Sequence, residues 1–437
     1  MSKLDESSPE RRGWGIDLSP IRDNPAYGRM WISGVTAGIG AQLTVVAVGV
    51  QVYHLTGSTL AVSMVGILAL GPMIVVGVFG SSLVDAFDRR TVVLWATLAS
   101  WLCGVGIAGL AWMGNENLVP LYVLTTLSSV SSTLVGTARF AIHPRLVPVH
   151  QLPAAAALSG VSAGLQATVG PALAGLLIAS VGFAWTYTVD VLLFATGFFG
   201  LLTLPPIRPE GQRISLGPSS VVEGFRVLAS SAALRVPILL NLVCMVFGRP
   251  QVLYPALAAT VFGGGPLVVG LLSSSGAIGV LASSALSGRI VRIRRHGVAV
   301  GLSGVAFGAS LLALGVVIGM TSTRTAGIAT GPLVLACVLL LLSGAADNVA
   351  NIFRTTMLQS VAPDAVRGRI QGLTVVVLTA GPRAGDAFVG TLSVVAGLWA
   401  APAIGGAVIM LVLASTTRWA REFRDYVAVA GGDHEPE

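Results

Sequence analysis

Long apolar runs, broken at short intervals by polar residues, set the pattern of this chain. Twelve runs of roughly 20 to 31 residues stand out. In the first half they cover 28–53, 59–84, 91–112, 118–142, 152–180 and 183–204. In the second half they cover 235–262, 266–290, 297–319, 328–358, 368–395 and 398–417. Each is long enough to cross a bilayer as a helix. A polar segment holding Pro205, Pro206, Arg208, Pro209, Glu210 and Arg213 divides the two sets. The pattern therefore predicts an all-α polytopic membrane protein of twelve transmembrane helices in two pseudo-symmetric six-helix bundles. The expected divisions are a tail at 1–26, a first bundle at 27–204, a linker at 205–232, a second bundle at 233–418 and a tail at 419–437.

Composition agrees with this reading. Hydrophobic residues make up 54% of the 437 residues and charged residues 10%, with a mean hydropathy of +0.83. A soluble chain of this length could not hide so much apolar surface behind so little charge, so membrane lipid is an expected partner. The 54 glycines fit a bundle in which small residues let helices approach closely. Gly34 and Gly38 in the first run, and Gly160 and Gly164 in the fifth, read as small-residue packing stripes.

The placement of charge predicts topology. With the N-terminus inside, the inner loops hold Arg89, Arg90, Arg145, Arg208, Arg213, Arg226, Arg289, Arg292, Arg294, Arg295, Arg367 and Arg369, whereas the outer loops hold Arg324. This one-sided distribution predicts a multi-pass protein of the cell (inner) membrane with both termini cytoplasmic. It also explains the net charge of +7 without a nucleic-acid partner. No cleavable signal peptide is read at the start; residues 1–26 are mixed-charge and polar, as in a cytoplasmic tail. Cys103, Cys244 and Cys337 lie inside apolar runs and read as small buried hydrophobes rather than a disulfide or metal framework.

The two halves echo each other. A basic loop follows the second run of each half, Asp88-Arg89-Arg90 and Arg292-Ile293-Arg294-Arg295. The fifth run of each half carries Gly-Pro followed by small residues, Gly170-Pro171-Ala172 and Gly381-Pro382-Arg383-Ala384-Gly385. Repeated six-helix units with a site at their interface are a plan of secondary transporters.

The stretch from Ser81 to Arg90 resembles the signature loop between helices 2 and 3 of the major facilitator superfamily, with Ser81 in place of the first Gly and Ala86 in place of an Arg. Asn24-Pro25-Ala26-Tyr27, Leu253-Tyr254-Pro255-Ala256-Leu257, Met357-Leu358-Gln359, Gly368-Arg369-Ile370 and Gly385-Asp386 are similar to its enterobactin-exporter branch, over about residues 20–420. The resemblance implies the major facilitator fold and proton-coupled export of a siderophore or similar amphipathic small molecule. It further implies a cytoplasmic gating loop of Asp85, Asp88, Arg89 and Arg90, with Arg367 and Arg369 as partners. Arg89 and Arg90 also read simply as topology-setting charges. Gly170 and Pro171 resemble a helix-bend motif of family exporters, with Gln166 where the fuller pattern has another Gly.

Ionisable groups within the runs cost about 2.5–3.5 kcal/mol each on insertion scales and so mark candidate function. The main ones are Asp190, Arg249, Asp347, Arg354, Arg383 and Asp386, with Arg139 near the inner end of the fourth run. Arg383 and Asp386 share a helical face, as do Asp347 and Arg354. The substrate and proton pathway is expected to hold Arg249, Asp347, Asn351, Arg383, Asp386 and Gln166, with Asp347 or Asp386 carrying the proton. Either pair also reads as a permanent ion pair that fixes packing. Asp190, beside Trp185 and Tyr187, reads as a packing residue. Trp101, Trp112, Trp185 and Trp399 read as interfacial belts.

Other functions fit less well. The chain's one lysine is Lys3, so it has no P-loop lysine. Gly160-Val161-Ser162-Ala163-Gly164 spells an esterase elbow but sits within an apolar helical run. The five histidines form no metal pattern. No catalytic residue, metal or cofactor is expected. The partners expected are a small-molecule substrate and protons, with function as a monomer. A broad drug-efflux pump is the alternative, and an uptake permease or a non-transporting receptor fits less well.

Overall fold

Proline and glycine mark where the first long helix begins and ends. α1 (Ser19–Asp23) leads into α2 (Pro25–Thr56), which has Pro25 in its first turn. α2 stops at Gly57, whose left-handed φ of 62° lets its N–H donate to the Tyr53 carbonyl. The structure is a computed structural model and describes residues 17–86, 89–202, 226, 232–286, 293, 295–321, 327–361 and 364–419. Nearly all of the expected linker, both tail ends and Asp88 lie outside the described residues.

The first half continues with α3 (Thr59–Ala86), α4 (Arg89–Trp112), α5 (Leu118–Leu146) and α6 (Leu152–Leu202). α6 is two spans in one. Gly182, at φ 81° and ψ −178°, reverses the chain within a single residue, a conformation that a Cβ would strain. The second half starts with α7 (Ala232–Phe247), breaks at Gly248-Arg249, and resumes as a 3-10 turn (Pro250–Leu253) and α8 (Tyr254–Thr260). Then come α9 (Gly265–Ala285), α10 (His296–Met320), α11 (Thr330–Val361), α12 (Asp364–Ala396) and α13 (Ala400–Trp419).

By length and composition, ten described stretches can cross a membrane. One of these is the doubled α6, and α12, a 33-residue helix that carries Arg383 and Asp386, is not among the ten. Together they supply the twelve expected spans. Within the first half, α2 packs on α6 and α4 packs on α5 and α6. In the second half, α10 packs on α11 and α13, α9 on α11, and α7 on α12. Between the halves the main contacts are α6 on α9 and α3 on α12.

These crossings show the internal repeat at the level of atoms. A Cβ on Gly170 of span 5 would stand 2.5 Å from Gln42 Cβ of span 1. A Cβ on Gly385 of span 11 would stand 2.6 Å from the Met245 carbonyl of span 7. Span 5 meets span 8 where a Cβ on Gly175 would lie 2.7 Å from the Pro266 carbonyl and 3.0 Å from Gly270 Cα. Span 11 meets span 2 at the related place, where Gly390 abuts Ser63 and Thr59 Oγ1 pairs with Ser393 Oγ at 2.6 Å. Of the expected stripe, Gly164 lies against Leu281 and Gly38 against Gln166, whereas Gly160 faces open space. Trp101 departs from the belt: it lies mid-span, its indole N–H donating to the Val191 carbonyl at 3.1 Å. Trp112 and Trp185 do sit together at a span end, in edge contact.

Gly270→Val would drive a branched side chain into the Pro171 carbonyl, 2.8 Å from an added Cβ. It is expected to destabilise the purified protein by about 1–3 kcal/mol, read as a lower midpoint in a tryptophan-fluorescence melt. Gly160→Ala, with nothing within 4 Å, is expected to leave that midpoint unchanged or raise it slightly.

Candidate functional site

A cavity of about 750 Å³ opens between the two halves, a size within the range of small-molecule sites. α2, α3 and α6 wall it with Gln42, Gly49, Gly66 and Pro171. The second half contributes Arg249, Tyr254, Phe307, Asp347, Arg383 and Asp386 among others. Four charged side chains expected from the sequence thus meet in one space, and all come from the second half. Arg249 reaches it because the chain leaves helical geometry at Gly248-Arg249, with Pro250 starting the 3-10 turn.

The carboxylates are held in different ways. Arg354, 2% exposed, donates from Nη2 to Asp347 Oδ1 at 3.0 Å and from Nη1 to Cys244 Sγ at 3.0 Å. Asp347 itself is 43% exposed, so this pair is a buried cation capped by a carboxylate at the cavity wall. Arg383 Nη1 donates to Asp386 Oδ2 across one helical turn at 3.4 Å, a longer contact. That pair lies against Gly66 of α3, where an added Cβ would stand 2.5 Å from Asp386 Oδ2. The missing side chain lets charges of one half press on the backbone of the other. Arg249 makes no hydrogen bond or ion pair with the described residues.

The remaining expected site residues divide. Pro171 lines the cavity, and Gly170 sits one residue away at the span 1 crossing. Gln166 does not line it: its amide donates to the Gly34 carbonyl at 3.3 Å and to Ser162 Oγ at 2.8 Å, tying span 5 to span 1. Asn351 is exposed and does not line the cavity, although it stands one turn from Asp347 on the same side of α11. Its neighbour Asn348 is used between helices, donating to Ser283 Oγ and Ser284 Oγ of α9. Asp88 lies outside the described residues, and of Asp85, Arg89, Arg367 and Arg369 only the helical backbone is described. Arg90 donates to the Leu202 carbonyl at 2.9 Å, which ties the start of α4 to the end of α6.

A sequence profile of transmembrane secretion effectors, a family within the major facilitator superfamily, matches residues 16–432. The chain belongs to that family. This secretion effector is 30% identical over 385 residues to the enterobactin exporter of Shigella boydii serotype 18 (strain CDC 3083-94 / BS512), covering 87% of this chain and 88% of that protein. It is 29% identical, over the same shares, to the enterobactin exporter of Escherichia coli O139:H28 (strain E24377A / ETEC). Its fold is similar to that of a POT family transporter in complex with 5-aminolevulinic acid. The TM-score is 0.73 at 12% identity, covering 92% of this chain and 97% of that one. It is also similar to a bacterial homologue of the iron transporter ferroportin in an inward-facing state. Here the TM-score is 0.66 at 15% identity, covering 90% and 98%. The secretion effector is thus a multi-span membrane transporter of the major facilitator fold, with a small-molecule substrate, and not an enzyme.

Sequence reasoning missed two features of the effector. Gln42 is the first half's amide at the cavity wall, and its signal was an uncharged polar residue in the middle of span 1. Thr44, one turn away from Gly40, donates to Asp190 Oδ2 at 2.5 Å. The exposures of the Asp347–Arg354 pair give an asymmetric expectation. Asp347→Asn strips a fully buried guanidinium of its countercharge and is expected to cost about 3–5 kcal/mol. Arg354→Met leaves a carboxylate that water already reaches and should cost less. Unfolding of both variants in detergent, with wild type as reference, measures the order.

Proposed function

We propose that this secretion effector exports an acidic, amphipathic small molecule of the siderophore class across the inner membrane by proton antiport. The observation that carries the reading is Arg249, a cavity-lining cation that forms no hydrogen bond or salt bridge with the described residues and stands within electrostatic reach of Asp386, which Arg383 already holds. A catecholate or hydroxamate cargo would supply the direct anionic contact that Arg249 lacks, through charge-assisted hydrogen bonds. Gln42 from the opposite wall adds a neutral donor and acceptor. The identity with enterobactin exporters over most of both chains supports the same cargo class. A pump for lipophilic cations would want free acidic groups, but both lining carboxylates are held by arginine.

The placement of contacts supports a cycle of this kind. With both termini cytoplasmic, the ends joined by Gly57 and by Gly263-Gly264 face outward. There the halves are bridged at Thr59–Ser393 and Gly175–Gly270, which is the arrangement of a carrier loaded from within. Asp386 then serves as the coupling group. Its contact to Arg383 is the longer of the two pairs, and it lies on the surface that one half presents to the other. Antiport requires proton and cargo to occupy the carrier in turn: Asp386 would take a proton from outside after cargo has left, which weakens the pair with Arg383 at the contact between the halves, and would give it up inside before cargo binds again. Asp85, Asp88, Arg89, Arg90, Arg367 and Arg369 would latch the inner face when the cavity turns outward.

Purified protein in proteoliposomes, loaded with radiolabelled enterobactin, tests both parts. Arg249→Gln is expected to lower export by roughly tenfold or more, the loss of one charge-assisted contact of about 1.5–3 kcal/mol, with resistance to lipophilic cationic drugs unchanged in cells. Export by wild type should rise when an inward-directed pH gradient is imposed. Asp386→Asn should abolish that response while leaving enterobactin binding in detergent intact. A full response in Asp386→Asn would dispose of the coupling role.

A further inference from the structure

The first half contains a titratable group that the cavity does not use. Asp190, on the second span of α6, is 6% exposed and is absent from the cavity wall. Its Oδ2 accepts from Thr44 Oγ1 of α2 at 2.5 Å, while its Oδ1 is buried without a hydrogen-bond partner among the described residues. The backbone of α2 leaves room for this carboxyl at Gly40, whose added Cβ would strike Oδ1. α4 faces it with Gly104, where an added Cβ would stand 3.9 Å from Oδ2.

Among the described residues, no basic group faces Asp190 from the elements packed around it. On α2, Arg29 and His54 are 11 and 10 residues from Gly40 and Thr44, about 15 Å along the helix. On α4, Arg89 and Arg90 are 14 or more residues from Gly104, about 21 Å away, and the titratable group nearest Gly104 in sequence is the buried Cys103. On α6 the other titratable group is Tyr187, one turn away, and α9 contributes no charged residue between Gly265 and Leu286. Tyr187 is itself buried and donates to Gln51 Oε1 at 2.7 Å. An ionised carboxylate in such a place, with one donor for two oxygens and no countercharge, is costly, and the neutral acid is the form the surroundings accept. The described side chains offer two carboxylate oxygens and one hydroxyl, fewer than the six or more oxygens a hard cation such as Ca²⁺ gathers.

We propose that Asp190 is a proton-binding site of the first bundle, separate from the charged pairs of the second. Its path to water runs along Tyr187 and Gln51 towards exposed His54, at the end of α2. The step is simple: the carboxylate takes one proton from water at that end and becomes the acid that Thr44 and the apolar surroundings hold. The site goes beyond the cargo reading and does not depend on it.

Infrared difference spectra of the full chain in phospholipid vesicles, between about pH 5 and about pH 9, read this site without any substrate. Wild type minus Asp190→Asn should show the C=O band of a protonated carboxyl that fades as the pH rises. Contributions from Asp347 and Asp386 cancel in the difference. Asp190→Glu should restore a titrating band, and Thr44→Val, which removes the one donor, should move its midpoint. Superimposable wild-type and Asp190→Asn spectra at every pH would overturn the proposal. So would a midpoint unmoved in Thr44→Val, a comparison that stands even if Asp190→Asn does not fold. A band that appears only when Na⁺ is withdrawn would assign the site to a metal cation instead, and would equally overturn it.

Discussion

Backbone-to-backbone contact at glycine is the interaction on which the remainder of the architecture rests. In lipid there is no hydrophobic drive between helices, so close packing and polar contacts must hold them. The Gly175–Gly270 crossing brings span 5 against span 8, and Gly170 and Gly385 do the same within each half. Side chains at these places would push the helices apart and widen the space between the bundles. The cavity exists at its observed size because the walls meet this closely on either side of it.

The two halves use the same geometry for different chemistry. Where span 5 crosses span 8, both partners are bare backbone. At the related crossing, span 11 presents Arg383 and Asp386 to Gly66 of span 2. One side of the molecule is thus a greasy pivot and the other a charged contact that titration or cargo can alter. The second half gathers its charges at the cavity, whereas the first half keeps Asp190 inside its own bundle. Arg354 marks the boundary between function and structure: it is buried beside Cys244 and reaches out to the half-exposed Asp347, so its loss or gain of a partner is felt as stability.

Much of this was legible in the chain, for physical reasons that also explain the rest. Span number followed from the length of the apolar runs, since lipid leaves few alternatives to helices. Gly182 could end one span and start the next because the runs on either side were each long enough. The Arg383–Asp386 and Asp347–Arg354 pairs followed from spacing along one helix. Which way a face turns did not follow from spacing. Gln166 and Asn351 look like cavity residues by polarity alone, yet one is spent on Gly34 and Ser162 and the other lies off the wall. The Thr44 partner of Asp190 was not legible either, because it is 146 residues away. Contacts between helices of different spans are set by packing, and a single sequence does not display them.

Gly182 has a mechanical consequence. It joins two membrane spans through a single residue, so the helices on either side form a stiff hairpin with almost no slack. The Gly175 crossing sits seven residues before that corner and Asp190 eight residues after it. A tilt of the first arm at the interface is carried around the corner and displaces the second arm. The carboxyl on that arm is thereby geared to the contact between the bundles, although it touches neither the cavity nor the opposite half.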